Sequence, residues 1–245
     1  VTGPKTLRLG TFNLLRDRSD GRARGDVRAI LRDHDLHALA YQEGHDYADA
    51  LERVHPDYRL LVRRGGRGYD QNGWIVREDV TARGLHIVDL GGDGWTTVTG
   101  LHHVGLVATA VTLAGWLRGV SLHLPPSIDW PHGRPVGPAE RVDDYIAAMR
   151  RLLRYAAQRT GPRGLLYVGD WNCRPGRDEG FASASWLARA AFMRIGRAPN
   201  QSGALHGIDF PMVDRDTILT HVRQQDRYGS DHPLVTFKAT RRGTE

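Results

Sequence analysis

Eight strand-like runs set what this chain can fold into: LRLGTFNLL (7–15), HALAYQE (37–43), YRLLVR (58–63), GWIVRE (73–78), VGLVATAVTL (104–113), GVSLHL (119–124), GLLYVGDW (164–171) and LVTFKAT (234–240). Gly, Pro, Asn or Asp bounds most of them, the usual punctuation of strands. Helical patterns fall between them. RGDVRAILRDH (24–34) carries Val27, Ile30 and Leu31 at helical spacing, and PAERVDDYIAAMRRLLRYAAQ (138–158) carries Val142, Ile146, Met149, Leu152 and Leu153 on one stripe. ASASWLARAAFMRI (182–195) is a third. Many strands with few helices, some in strand–helix–strand order, predict two packed sheets with helices outside. No repeat, low-complexity tract or linker divides the chain, so residues 1–245 are expected to form a single domain.

Polar residues recur at the ends of these runs. Asn13 follows LRLGTF, Glu43 follows HALAYQ, and His123 interrupts VSLHL. Asp170 and Asn172 end LLYVGDWN, Asp209 lies in HGIDFPMV, and Asp231 and His232 precede PLVTF. Chemistry collects where strand ends meet loops on a rigid sheet. Residues two apart on a strand face the same way. Ser121 and His123 are therefore expected on one face, with Val120, Leu122 and Leu124 on the other. By the same rule Asp170 and Asn172 converge if the strand persists, and Trp171 turns away. Each residue alone reads as a cap, turn or core polar group; the joint pattern reads as a site.

The motifs TFNLL, YQE, NGWIVR, SLHLP, GDWN, GIDF and GSDHPLVTF occur in one order over nearly the whole chain. With them the sequence resembles the endonuclease/exonuclease/phosphatase superfamily. The resemblance implies an α/β fold, a four-layer α/β/β/α sandwich of two mixed, mostly antiparallel sheets. It also implies phosphoester hydrolysis at one end of both sheets, assisted by a divalent metal. Mg²⁺ is the expected ion, with Mn²⁺ an alternative.

Cleaving a phosphoester requires an aligned water, a neutralised phosphate and a stabilised leaving oxygen. Glu43 is the expected metal carboxylate, with Asn13 beside it and, by resemblance, Asp231 on the metal side. Asp170 can orient or deprotonate the attacking water. Asn172 can hold a phosphate oxygen or Asp170 without adding negative charge. His123 and His232 are the candidate donors to phosphate, and each needs an orienting partner. Asp209 matches the family carboxylate that pairs with His232. For His123 the stretch YDQN offers Asp70, Gln71 or Asn72, and a deoxyribonuclease-like alignment with a one-residue gap points to Gln71. Tyr69, Asn72, Arg63 and Arg67 are candidate substrate contacts, the arginines within RRGGRGYDQN. Abasic-site endonucleases carry an acidic residue two places after the first-motif Asn; Leu15 stands there, which argues against that branch.

The net charge of +6 suits a polyanion, so nucleic acid, DNA first, is the expected substrate. The alternative is a phosphatase or phosphodiesterase acting on a small ester or lipid head group. A catalytically inactive binding module of the same fold would have lost Glu43, Asp170 or a histidine, and all are present. Cys173 is the single cysteine, which excludes an intrachain disulfide and a Cys-rich zinc site. A reducing, cytoplasmic location, a monomer and no stable membrane insertion are expected. Secretion after leader removal remains compatible with a chain that starts at Val1.

Overall fold

The computed structural model describes residues 3–14, 20–44, 48–63, 71–90, 95–96, 103–104, 107–125, 136–137, 139–158, 164–174, 180–197, 208–228 and 230–243. Its elements run β1 (Thr6–Asn13), α1 (Asp20–His34), β2 (Ala38–Gln42), α2 (Ala48–Leu51), β3 (Tyr58–Leu61), β4 (Gly73–Arg77), β5 (Ala82–Asp89), β6 (Trp95–Thr96), β7 (His103–Val104), β8 (Val107–Leu113), β9 (Leu117–His123), α3 (Ala139–Ala157), β10 (Gly164–Asp170), α4 (Ala184–Ala190), β11 (Arg194–Ile195), β12 (Asp209–Val213), β13 (Thr217–Gln224) and β14 (Val235–Arg241).

Two six-stranded sheets carry the fold, ordered β13-β14-β1-β2-β4-β3 and β11-β12-β10-β9-β8-β5. Each contains one parallel pair, β1/β2 in the first and β9/β10 in the second, and every other pairing within them is antiparallel. A parallel pair needs a crossover, usually a helix. Here α1 lies between β1 and β2, and α3 between β9 and β10.

Three apolar clusters fill the three gaps between four layers. Val27, Ile30 and Leu31 of α1 meet Phe12, Leu39, Tyr41 and Ile75 on the outer face of the first sheet. Leu7, Leu9, Trp74, Val111, Leu166, Val168 and Phe237 fill the space between the sheets. Tyr145, Met149 and Leu152 of α3 and Leu187 of α4 meet Val120, Leu122, Tyr167, Trp171 and Phe210 on the outer face of the second. The period-2 pattern explains the division: Leu166 and Val168 face inward while Leu165 and Tyr167 face the helices.

Three local expectations change. The helical pattern over 182–195 stops at Ala190, because Phe192 takes φ 53 and Arg194–Ile195 pairs as a strand with β12. Strands β5, β12 and β13 add to the expected runs; β5 and β13 are largely exposed edge strands whose apolar residues do not alternate strictly. The strand ending LLYVGDWN stops at Asp170, and Asn172 has φ 47, so alternation does not carry Asn172 into line with Asp170.

Candidate active site

The C-terminal ends of both parallel pairs meet at one end of the sandwich. On the second sheet the register aligns His123 with Asp170 and Asp170 with Asp209 across three neighbouring strands. On the first, Asn13 lies beside Gln42, and Glu43 follows with φ 58. The inward-facing side chains turn from apolar to polar as this end is approached. Thr11 donates to Gln42 Oε1 (3.2 Å), Gln42 Nε2 donates to Ser121 Oγ (3.1 Å), and Ser121 donates to the Tyr41 carbonyl (3.1 Å). This buried belt ties the sheets together just below the charged groups. Gly169, at φ 141, leaves room for it: a Cβ there would sit 2.0 Å from the Leu122 carbonyl oxygen and 3.1 Å from Gln42 Nε2.

Above the belt, six candidates converge. Asn13 Nδ2 donates to Glu43 Oε1 at 3.0 Å and to Asp170 Oδ2 at 3.2 Å, a contact that crosses from one sheet to the other. His123 Nε2 lies 3.5 Å from Asp170 Oδ2 and 3.7 Å from Glu43 Oε1. His232 Nδ1 lies 2.7 Å from Asp209 Oδ2 and 3.8 Å from Asp170 Oδ2. Asn172 joins through its backbone N–H, which donates to Asp170 Oδ1 (2.9 Å), while its side chain donates to the Leu124 carbonyl (2.6 Å). Asn172 thus orients Asp170 through a two-residue turn. Trp171 turns the other way and stacks on Phe210, ring centroids 5.2 Å apart.

Partner chemistry fixes the tautomers. Gln71 Nε2 is a donor 3.3 Å from His123 Nδ1, so Nδ1 accepts and the proton of neutral His123 sits on Nε2, toward the carboxylates. Asp209 can only accept, so His232 donates from Nδ1 and presents Nε2 away from the pair. Ser230, which is not among the sequence candidates, anchors this corner. Its hydroxyl donates to the Asn13 carbonyl (2.8 Å) and accepts from the His232 backbone N–H (3.1 Å). Its sequence signal is a Ser two residues before a His, the spacing of a local side-chain turn.

The remaining candidates stand further out. Asp231 is exposed, its Oδ1 3.9 Å from His232 Nε2. Asn72 is fully buried at the start of β4, its carbonyl accepting from Thr109 Oγ1 (2.6 Å). Arg63 is exposed two residues past β3, whose Leu61 pairs with Trp74, and so belongs to the same end of the first sheet as Asn72. Tyr69, Arg67 and Asp70 lie outside the described residues.

The Endonuclease/Exonuclease/phosphatase family model matches residues 10–232, a span that begins before Asn13 and ends on His232. The chain belongs to the Endonuclease/Exonuclease/phosphatase family. It is therefore a hydrolase acting on phosphoester bonds, of a divalent-metal-dependent family. An endonuclease/exonuclease/phosphatase from Bacteroides vulgatus shares the fold at TM-score 0.71 and 16% identity, over 97% of this chain and 99% of that one. The mannosyl-6-phosphatase Bt3783 of Bacteroides thetaiotaomicron VPI-5482 matches at TM-score 0.61 and 15% identity, over 96% and 99%. The endonuclease domain of TRAS1, a telomere-specific non-LTR retrotransposon, matches at TM-score 0.56 and 16% identity, over 96% and 98%. No curated protein sequence matches this one.

For a member of this family the electrostatics are informative. Burial, then the neighbouring Asp209, push the Asp170 carboxyl up to about 6, against the pull of His232 and His123. Burial alone would lower His232; Asp209, then Asp170, outweigh it and lift the imidazole to about 10. At neutral pH the site thus holds an imidazolium beside a carboxylate that ionises near neutrality. Ligand atoms of Asp170, Asp209 and His232 lie within 4.8 Å of one another, close enough for one ion. A histidine that keeps its proton is a poor ligand, however. Glu43 and Asn13 offer hard oxygens instead, and the Asn13 amide nitrogen, donating to both Glu43 and Asp170, holds these groups together. Hard oxygens in a site rich in carboxylate suit a hard divalent ion. Among the described residues no helix is long and apolar enough to cross a membrane.

Proposed function

We propose that this hydrolase is a Mg²⁺-dependent phosphodiesterase that cuts DNA within a single domain spanning residues 1–245. One observation carries the chemistry: Asp170 lies between two histidines of opposite assignment, His232 charged against Asp209 and His123 held as the Nε2–H tautomer by Gln71. Asp170, above its pKa, takes the proton of the attacking water while Asn172 holds the carboxylate by its backbone N–H. His232 donates a charge-assisted hydrogen bond to a non-bridging phosphate oxygen, and His123 donates from Nε2. Glu43, with Asn13 and Asp231, would hold Mg²⁺, which when bound would supply Lewis acidity toward the phosphoryl oxygen and charge compensation for the leaving oxygen. Asn72 supports the floor of the cleft, and Tyr69, Arg63 and Arg67 meet the backbone phosphates.

The choice of DNA rests on the net charge of +6 and on Arg63 at the site end of the sheet. A small phosphate ester is the second reading. The depth of the site favours it: His123, Asp170 and Asp209 are 4%, 1% and 0% exposed, and a small ester reaches that depth more easily than a duplex does. Supercoiled plasmid, a short single strand, RNA, bis-p-nitrophenyl phosphate and p-nitrophenyl phosphate, each with Mg²⁺ or EDTA, separate the two. Nicking of plasmid with Mg²⁺ is expected. Turnover of the monoester alone, with every nucleic acid intact, overturns the nuclease reading.

A further inference from the structure

Strands β13, β14 and β1 have a second face, turned away from the space between the sheets. Helix α1 packs over Phe12, Leu39 and Ile75, on the β1–β2–β4 side. Toward β13 the outer face is open, and a groove of about 240 Å³ runs along it. Arg8, His34, His221, Arg223, Gln225 and Lys238 line it, and no acidic side chain is among its lining residues.

The register makes this cluster. Arg8 and Lys238 are directly paired across β1 and β14. Lys238 pairs in turn with Thr220 on β13, and Thr236, two residues from Lys238, pairs with Arg223. Two residues on β13, His221 and Val222, thus stand opposite one on β14, Phe237. The extra residue is a bulge containing His221, which sits at φ 54. Strict alternation from Thr220 would turn Arg223 toward the interior. The bulge instead keeps Arg223 outward, beside Lys238, and Val222 packs against the inter-sheet core. No run of basic residues announces this patch, because its members come from three strands.

Two physical costs are concentrated here. Like charges directly opposite one another destabilise a sheet. A non-glycine residue in the left-handed region is strained. Asp35 offsets Arg8, through a salt bridge and through its carbonyl, which accepts from Arg8 Nε at 2.8 Å. Among the described residues, the Arg223 and Lys238 side chains have no hydrogen-bond or ion-pair partner. Adjacent strands are ~4.8 Å apart and residues two apart ~7 Å, so Arg223 and Lys238, on neighbouring strands and offset by two residues, have backbones ~8 Å apart, within reach of one phosphate group for both long side chains, while Arg8 stays on Asp35 beside them. A guanidinium fork and an ammonium together satisfy a phosphate dianion.

We propose that this groove binds a phosphate group, at a site separate from the hydrolytic cleft. Arg8 lies five residues from Asn13 along β1 and faces the other way, ~17 Å distant along the strand. The phosphate comes from one of two sources, free inorganic phosphate or the terminal phosphate of an oligonucleotide.

The test is isothermal titration calorimetry in EDTA, with inorganic phosphate and with a short oligothymidine that is 5′-phosphorylated or unphosphorylated. Arg223→Ala/Lys238→Ala is expected to weaken one phosphate-binding event ~10-fold or more. Hydrolysis of bis-p-nitrophenyl phosphate with Mg²⁺ should be unchanged. Arg223→Gln and Lys238→Gln singly, each checked by thermal melting, give the same reading if the double variant unfolds. Tighter binding of the 5′-phosphorylated strand than of inorganic phosphate assigns the groove to a nucleic-acid end; the reverse order assigns it to free phosphate. Phosphate binding untouched by these variants, abolished together with hydrolysis, or absent from the wild-type protein overturns the proposal.

Discussion

Asp209→Asn isolates one interaction in the cleft. His232 rises from 6.5 to about 10 although burial opposes it, a preference for the charged form of ~5 kcal/mol at 1.36 kcal/mol per pKa unit. Asp209 is the largest raising cause and the only one at hydrogen-bond distance, 2.7 Å against 3.8 Å for Asp170. An adjacent opposite charge typically moves a pKa by ~1–3 units, so its removal should lower His232 by about that amount. The sign follows from the role. If His232 must be protonated to hold phosphate, activity is present below its pKa and lost above it. In the wild type the alkaline limb should lie near 10, and in Asp209→Asn it should move down by ~1–3 units. A limb at ~7–9 still leaves the ring at least about half protonated at about pH 7, so kcat/KM should fall by no more than about twofold there and by ~2–100-fold at about pH 9, where the wild-type ring is still mostly charged. The assay is kcat/KM for bis-p-nitrophenyl phosphate with saturating Mg²⁺ across the range from about pH 5 to about pH 10.5, with the His232 ring followed by NMR. An alkaline limb that stays in place, with a rate within about twofold of wild type, refutes the assignment of His232 as the charged donor.

Asp170 provides the acid limb: activity should appear as pH rises through about 6, where the buried carboxyl ionises, and a rate that stays flat well below that pH removes Asp170 as base. Glu43→Gln should weaken Mg²⁺ binding more than ~10-fold, since even residues outside a ligand set cost that much, and leave the melting temperature close to wild type. Replacing Arg63 and Arg67 by Ala should flatten the salt dependence of DNA binding by ~0.9 in log–log slope for each phosphate that is no longer neutralised. Gly169→Ala places a Cβ 2.0 Å from the Leu122 carbonyl oxygen at φ 141, and should cost ~2–4 kcal/mol in urea unfolding with an unchanged m-value.

Much of the site was legible because a strand has a period of two. Ser121 and His123 face between the sheets, and Val120, Leu122 and Leu124 face the helices, as alternation requires. The same rule failed for Asn172, because the strand ends one residue after Gly169 and a turn does the rest. It failed again on β13, where a bulge shifts the phase, so that the core-facing Leu219 and Val222 stand three residues apart and not two. Gln42, Thr11 and Ser230 were hidden for another reason. Their partners come from other segments or from the backbone, and nothing in the sequence marks a buried amide as a tie between sheets rather than a turn residue.

The hydrogen bond from Asn13 to Asp170 joins the end of one sheet to the end of the other. Each sheet holds one parallel pair with its own crossover helix, and each contributes about half of the candidate site residues. Neither half can be active by itself, however well it retains its strands. Catalysis is therefore a gauge of how closely the halves sit together. A slight parting of Leu7, Trp74 and Val111 from Leu166 and Val168, far below the cleft, would widen the gap between Glu43 and Asp170 while leaving every ladder intact. Turnover should fade at a lower denaturant concentration than the far-ultraviolet signal, because the enzyme loses its alignment before it loses its strands.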